Sequence, residues 1–199
     1  MPADIDFYFD FISPYSYLAS IMLPRLADEH AAAIRYRPVC LLDLMQRVGN
    51  RPTTIECASK GVYAIADLHR WAARHQIAFA PSPYWQGIDF PLLGRGLLVA
   101  IDEGRGPDFI RSVYPAVYGT PVDLGRRAEF LRVLGQAGFD GAALLARAGA
   151  EPYVARLRAN TEEAAERGVF GSPTMFIDGE MFFGNDRLDF VAEALRAAA

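Results

Sequence analysis

The sequence predicts an α/β protein in which one sheet is built from both ends of the chain and a long helical block is inserted between them. Three observations carry this expectation. A period-two run of β-favouring residues opens the chain, with Ile5, Phe7, Phe9 and Phe11 alternating with Asp6, Tyr8 and Asp10. From residue 41 to about residue 167 nearly every apolar run has helical period. Strand character then returns only at Pro173-Thr174-Met175-Phe176-Ile177. A single interrupted sheet accounts for strand-rich pieces at both ends more economically than two sequential domains do.

Taken in order, the run from Ile5 to Phe11 reads as a strand buried on one face. It stops at Ser13-Pro14-Tyr15-Ser16, a helix start, because a Ser hydroxyl accepts from orphan amides and Pro tolerates the first helical position. Leu18, Met22, Leu23 and Leu26 continue at helical spacing to about His30, and Ile34-Arg35-Tyr36-Arg37-Pro38-Val39 completes a βαβ unit. Helices are expected over 41–48, 60–75, 92–102, 108–117, 126–136, 142–148 and 152–167, separated by breakers such as Gly49-Asn50-Arg51-Pro52 and Pro81-Ser82-Pro83. Asp178-Gly179 turns the late strand into Met181-Phe182-Phe183 as a hairpin, and a helix over 187–197 closes the chain. Residues 1–40 and 168–199 thus form the frame, 41–151 the inserted helical domain, and the helix at about 152–167 packs with the frame.

Composition excludes several function classes. With 52% hydrophobic and 22% charged residues in 199, the chain has the makings of a packed core. A net charge of -4 argues against nucleic-acid binding, which needs a basic footprint. Lys60 is the one lysine among 20 basic residues. Cys40 and Cys57 are too far apart for a C-x-x-C redox pair and, with His30, His69 and His75, too few for a metal site. Met1-Pro2-Ala3-Asp4 lacks the pattern of a secretory leader, and no stretch reaches about 18 apolar residues. The expectation is a cytoplasmic protein with reduced thiols and no membrane partner. Gly94-Arg95-Gly96 and Gly104-Arg105-Gly106 lack the third glycine of a phosphate loop, and no G-x-S-x-G elbow occurs.

Three constellations could carry chemistry. Ser13-Pro14-Tyr15-Ser16 lies where a strand's carboxyl end meets a helix N-terminus, so unpaired amides and the helix dipole favour an anion there, although Ser13 also reads as a plain N-cap. Gly171-Ser172-Pro173-Thr174 places a proline at the first residue of a strand, an ordinary position. Gly184-Asn185-Asp186, with Asp189 three residues on, reads by itself as an Asx cap on the last helix.

With its helical insert, this set of motifs resembles the DsbA-like branch of the thioredoxin superfamily. Within that branch it is similar to the 2-hydroxychromene-2-carboxylate isomerases and the kappa-class glutathione transferases. The resembling stretches run from Asp6 to Ala19, through Gly49-Asn50-Arg51-Pro52 and from Lys60 to Trp71, and from Gly168 to Leu188. The resemblance implies a thioredoxin-like fold with a large all-helical insertion, and serines, Ser13 and Ser16, where a disulfide oxidoreductase carries its cysteines. It implies glutathione as cofactor, with Ser13 donating a hydrogen bond to its sulfur and so lowering the thiol pKa. By the same resemblance Pro173 is cis, and Ser172, Phe183, Gly184, Asn185, Asp186 and Asn50 bind glutathione. Lys60, Tyr63, Tyr84 and Trp85 fall where a second, small aromatic or electrophilic substrate would lie, and the family suggests a homodimer.

Three activities fit this reading. The leading one is an isomerase in which glutathione thiolate adds reversibly to an aromatic-catabolism intermediate. The others are a kappa-like transferase that conjugates electrophiles and a redox-inactive thioredoxin-like binding module.

Overall fold

The structure, a computed structural model, describes residues 4–198; the leading residues read above for a targeting segment lie mostly outside that span. The frame opens with β1 (Asp4–Phe9), α1 (Pro14–Glu29) and β2 (Ala33–Pro38). There follow α2 (Leu41–Arg47), α3 (Thr53–Glu56), α4 (Ala58–Arg74), α5 (Phe90–Asp102), α6 (Gly106–Tyr118), α7 (Arg127–Gln136), α8 (Gly141–Ala148) and α9 (Glu151–Glu166). The chain closes with β3 (Thr174–Ile177), β4 (Glu180–Phe183) and α10 (Leu188–Ala197). Single 3-10 turns occupy Trp85–Gly87 and Asn185–Arg187.

The sheet has the order β2-β1-β3-β4, with β1 parallel to β2 and antiparallel to β3. In register, Tyr36 stands beside Phe7, Phe7 beside Met175, and Met175 beside Phe182, which makes one apolar row across four strands. The hairpin between β3 and β4 turns at Asp178 and Gly179, both at positive φ (48° and 87°), the conformation that Asp-Gly supplies in a two-residue turn.

The strand at the start is buried on both faces, not on one as its alternation suggests: Ile5 to Phe9 are all buried, Asp6 and Tyr8 included. β1 is a central strand with helices above and below it. Its polar face is made tolerable by pairing, since buried polar groups persist only when satisfied. Arg35 and Arg167 reach Asp6 at 2.9 and 2.8 Å, and Tyr8 donates to Glu163 at 2.8 Å. Burial alone would raise the Asp6 pKa, but the hydrogen bond from Arg167 and the charges of Arg35, Arg167 and Arg37 outweigh it and hold the carboxyl below its usual value.

On the opposite face, Phe7, Phe9 and Phe11 share one continuous core with residues of the insert, among them Leu93, Phe109, Val113, Tyr114 and Tyr118. Phe11 lies 4.4 Å from Tyr114 between ring centroids, and Tyr17 5.9 Å from Tyr118. The insert therefore supplies one wall of the sheet's core.

Candidate active site

The site is built where β1 ends. After Phe9 the chain turns through Asp10, Phe11 and Ile12, and Ser13 caps α1 with its hydroxyl accepting from the Ser16 amide at 3.2 Å, as the Ser-Pro signal predicts. Asp10 organises this turn from within. Its carboxylate takes the Ile12 amide at 3.1 Å and the Leu41 amide at 2.7 Å, and its carbonyl takes the Ser13 amide at 3.0 Å. Burial pushes the Asp10 pKa up to about 6, against the opposing pull of the amides of Leu41, Ile12 and Phe11.

Three hydroxyls meet at this point. Ser13 donates to the Ser172 carbonyl at 3.1 Å, and the fully buried Ser16 shares a 2.7 Å hydrogen bond with the Ser172 hydroxyl. Ser13 is itself buried. It sits at the N-terminus of a 16-residue helix, where orphan amides and the dipole present positive potential. The Ser172–Pro173 peptide bond is cis.

The strand that begins after this bond leads back to the same place through β4. Gly184 donates its amide to the Pro173 carbonyl at 2.9 Å with φ at +110°, where a Cβ would collide with Asp186 Oδ1. The turn that follows packs on α1. The Asx cap expected at Gly184-Asn185-Asp186 does not form: no side chain caps either the 3-10 turn or α10. Gly184 at φ +110° leads into a 3-10 turn instead, which leaves Arg187 rather than Asn185 or Asp186 at the N-cap of α10. Asp186 pairs instead with Arg187 at 2.6 Å, and Asn185, 4% exposed, leaves its Nδ2 buried without a partner among the described residues. A buried amide nitrogen with no acceptor is costly, and this one follows directly on Gly184, whose amide is bonded to Pro173.

The remaining candidates are brought to the site unequally. Asn50 donates to the Phe170 carbonyl at 2.6 Å, tying the insert to the segment just before Ser172. Phe183 lies 4.7 Å from Phe170, and its ring fills the space that a side chain at position 171 would need. Tyr63 is exposed on α4 under the Arg70 guanidinium, yet close enough to Tyr15 to act on its ionisation. Trp85 packs 5.8 Å from Phe90 between ring centroids. Tyr84 and Lys60 are exposed, and no hydrogen bond among the described residues joins either to the Ser13 turn.

Several residues at the site were not singled out by sequence reasoning. Tyr114 donates to the Asp10 carbonyl at 2.7 Å and Tyr118 to the Ile12 carbonyl at 2.6 Å. Tyr15, already part of the Ser13-Pro14-Tyr15-Ser16 motif, donates to Asp67 at 3.2 Å, which ties α1 to α4. Their spacing offered a signal, since Tyr114 and Tyr118 are four apart and share one helix face. Among the described residues no group of three or more His, Cys, Asp or Glu is placed to hold a metal ion.

Residues 4–196 match the family described as DSBA-like thioredoxin domain. The chain is 34% identical over 196 residues to a 2-hydroxychromene-2-carboxylate isomerase of Sphingobium xenophagum, covering 98% of this chain and 99% of that one. It is 26% identical over 205 residues to glutathione S-transferase kappa 1 of Caenorhabditis elegans, covering 96% and 90%. A solved structure of a selenomethionine 2-hydroxychromene-2-carboxylate isomerase superposes with a TM-score of 0.89 at 31% identity, covering 98% of this chain and 95% of the other.

Proposed function

The chain belongs to the DsbA-like thioredoxin family and, within it, to the family of the 2-hydroxychromene-2-carboxylate isomerases, and from that premise we propose that it is a glutathione-dependent isomerase whose activating residue is Ser13. The observation that carries the reading is the Ser13 turn itself. A buried hydroxyl with one proton to give stands at a helix N-terminus, with a second serine where a redox pair would need its other thiol. Such a frame has no sulfur of its own to use. Cys40 is half-buried, with its thiol pushed up chiefly by burial, and Cys57 is exposed at the start of α4.

The residues present fit glutathione. The orphaned Asn185 Nδ2 supplies a buried donor for a carboxylate, and Asp186 supplies an exposed carboxylate for an ammonium, the two charged groups of a γ-glutamyl end. When bound, glutathione supplies a thiolate that adds to a conjugated carbon of the substrate and leaves again unconsumed.

The chain's part in this is proton placement. Ser13 Oγ is held from one side by the Ser16 amide, while its own proton lies on the Ser172 carbonyl. One proton cannot serve that carbonyl and a sulfur together, so activation requires the hydroxyl to turn while the Ser16 amide keeps the oxygen in place. A hydrogen bond to the charged form and the helix dipole both act to lower a thiol pKa. In the same reading Tyr63, Tyr84 and Trp85 wall the second-substrate site and Lys60 offers it a cation, while Asn50, Ser172, Phe183 and Gly184 complete the glutathione site.

Product analysis tests the proposal. Turnover of a 2-hydroxychromene-2-carboxylate with glutathione recovered in full supports the isomerase; stoichiometric loss of glutathione assigns a kappa-like transferase instead. No glutathione binding by calorimetry leaves only a thioredoxin-like binding module. A cytoplasmic setting is part of the same proposal, because thiols and glutathione are kept reduced there. No described helix is long and apolar enough to cross a membrane. A homodimer is part of the proposal, supported by the exposed Met181 and Phe190 beside the outer strand β4; sedimentation checks it.

A further inference from the structure

The peptide unit between Ile12 and Ser13 is held at both ends. Its N–H, on Ser13, donates to the Asp10 carbonyl at 3.0 Å, and its carbonyl, on Ile12, accepts from the Tyr118 hydroxyl at 2.6 Å. Tyr118 is 4% exposed, and its phenol proton goes to the Ile12 carbonyl. Any rotation of this peptide plane changes φ at Ser13, which stands at -92°, and swings Oγ away from the Ser16 amide.

We propose that Tyr118 is a positioning residue for Ser13: by fixing the Ile12 carbonyl it holds the peptide plane that aims the Ser13 hydroxyl. The helical insert thereby sets the activating group of the frame. The inference rests on the role given to Ser13 above. It assigns Tyr118 no contact with substrate or glutathione.

Tyr118→Phe removes one oxygen and keeps the ring. Tyr17→Phe is the control, because Tyr17 belongs to the same aromatic cluster and its hydroxyl also donates to a carbonyl, that of Ala78, at 2.7 Å, while its contact with the turn, a backbone amide on the Ser13 carbonyl at 3.1 Å, is left in place by the substitution. Ultraviolet titration of bound glutathione is expected to show the thiol pKa raised by roughly one unit in Tyr118→Phe, a tenfold lower thiolate fraction, and unmoved in Tyr17→Phe. Independently of any ligand, NMR is expected to show the Ser13 amide of Tyr118→Phe exchanging roughly tenfold faster relative to other core amides. An unshifted thiol in Tyr118→Phe, or an equal shift in both variants, overturns the proposal even where both lose thermal stability. If the unsubstituted protein gives no thiolate band, the role of Ser13 falls instead; the Ser13 amide then decides alone, and unchanged exchange overturns the positioning of this turn by Tyr118.

Discussion

At the scale of single residues, Ser13 and Asp186 are separable by what each variant changes. Ser13→Ala loses an N-cap, at a cost of about 1 kcal/mol of stability, and still folds. It is expected to raise the pKa of bound glutathione by on the order of one unit, because a hydrogen bond to the charged form is gone. Asp186→Ala is expected to weaken binding roughly tenfold by calorimetry, as befits one lost charge-assisted contact, with that pKa unmoved. Asp10 is the opposite kind of carboxylate from Asp6. Its folded-state pKa of about 6 exceeds the unfolded value near 3.8, so between those values the native chain keeps a proton that the unfolded chain has lost. Stability contributed by Asp10 is thus present below pH 3.8 and lost as pH rises to about 6, by up to roughly 3 kcal/mol. Asp10→Asn cannot titrate, and its unfolding free energy, measured by urea melts from pH 4 to 6.5, is expected to lack that decline.

At the scale of elements, what the sequence reveals depends on how local the cause is. The cap at Ser13, the Asp178-Gly179 hairpin and the amphipathic helices were legible because their signals lie within a few residues. The four-residue α3 was not, since it buries no side chain and leaves no periodicity to read. The direction in which Tyr114 and Tyr118 point was not legible either: their spacing marks a shared face, but the partners of that face lie over a hundred positions away. At Asn185 the local signal pointed the wrong way, because a backbone turn at Gly184 overrode the capping preference of its neighbours. That turn is testable. Gly184→Ala introduces a Cβ at φ +110°, close against Asp186 Oδ1, and is expected to destabilise the chain by about 1–3 kcal/mol. Glutathione binding is expected to fall with it, whereas Gly179→Ala, with nothing near its Cβ, is expected to cost stability alone.

At the scale of the whole molecule, the insert and the frame share one hydrophobic core, from Ile5 and Phe7 in the sheet to Leu134 and Leu145 in the helices and Val191 at the end. A core divided between two segments is expected to unfold as one unit. Both tryptophans, Trp71 and Trp85, lie in the insert, so their fluorescence follows it, while far-ultraviolet dichroism follows all helices. Coincident denaturant midpoints by the two probes are the expected result; a separate early fluorescence transition would mark the insert as a domain of independent stability. The start of α4 offers a way to watch this region without altering it. Cys57 stands at the N-cap position of that helix, without a side-chain capping bond, and Lys60 lies in its first turn, both exposed. Because Cys40 is half-buried with a raised thiol pKa, and no other lysine exists, maleimide and succinimide dyes would each find one favoured side chain, apart from the α-amine. The native chain thus carries two orthogonal attachment points on a single helical turn, with tryptophan donors already in place for energy transfer.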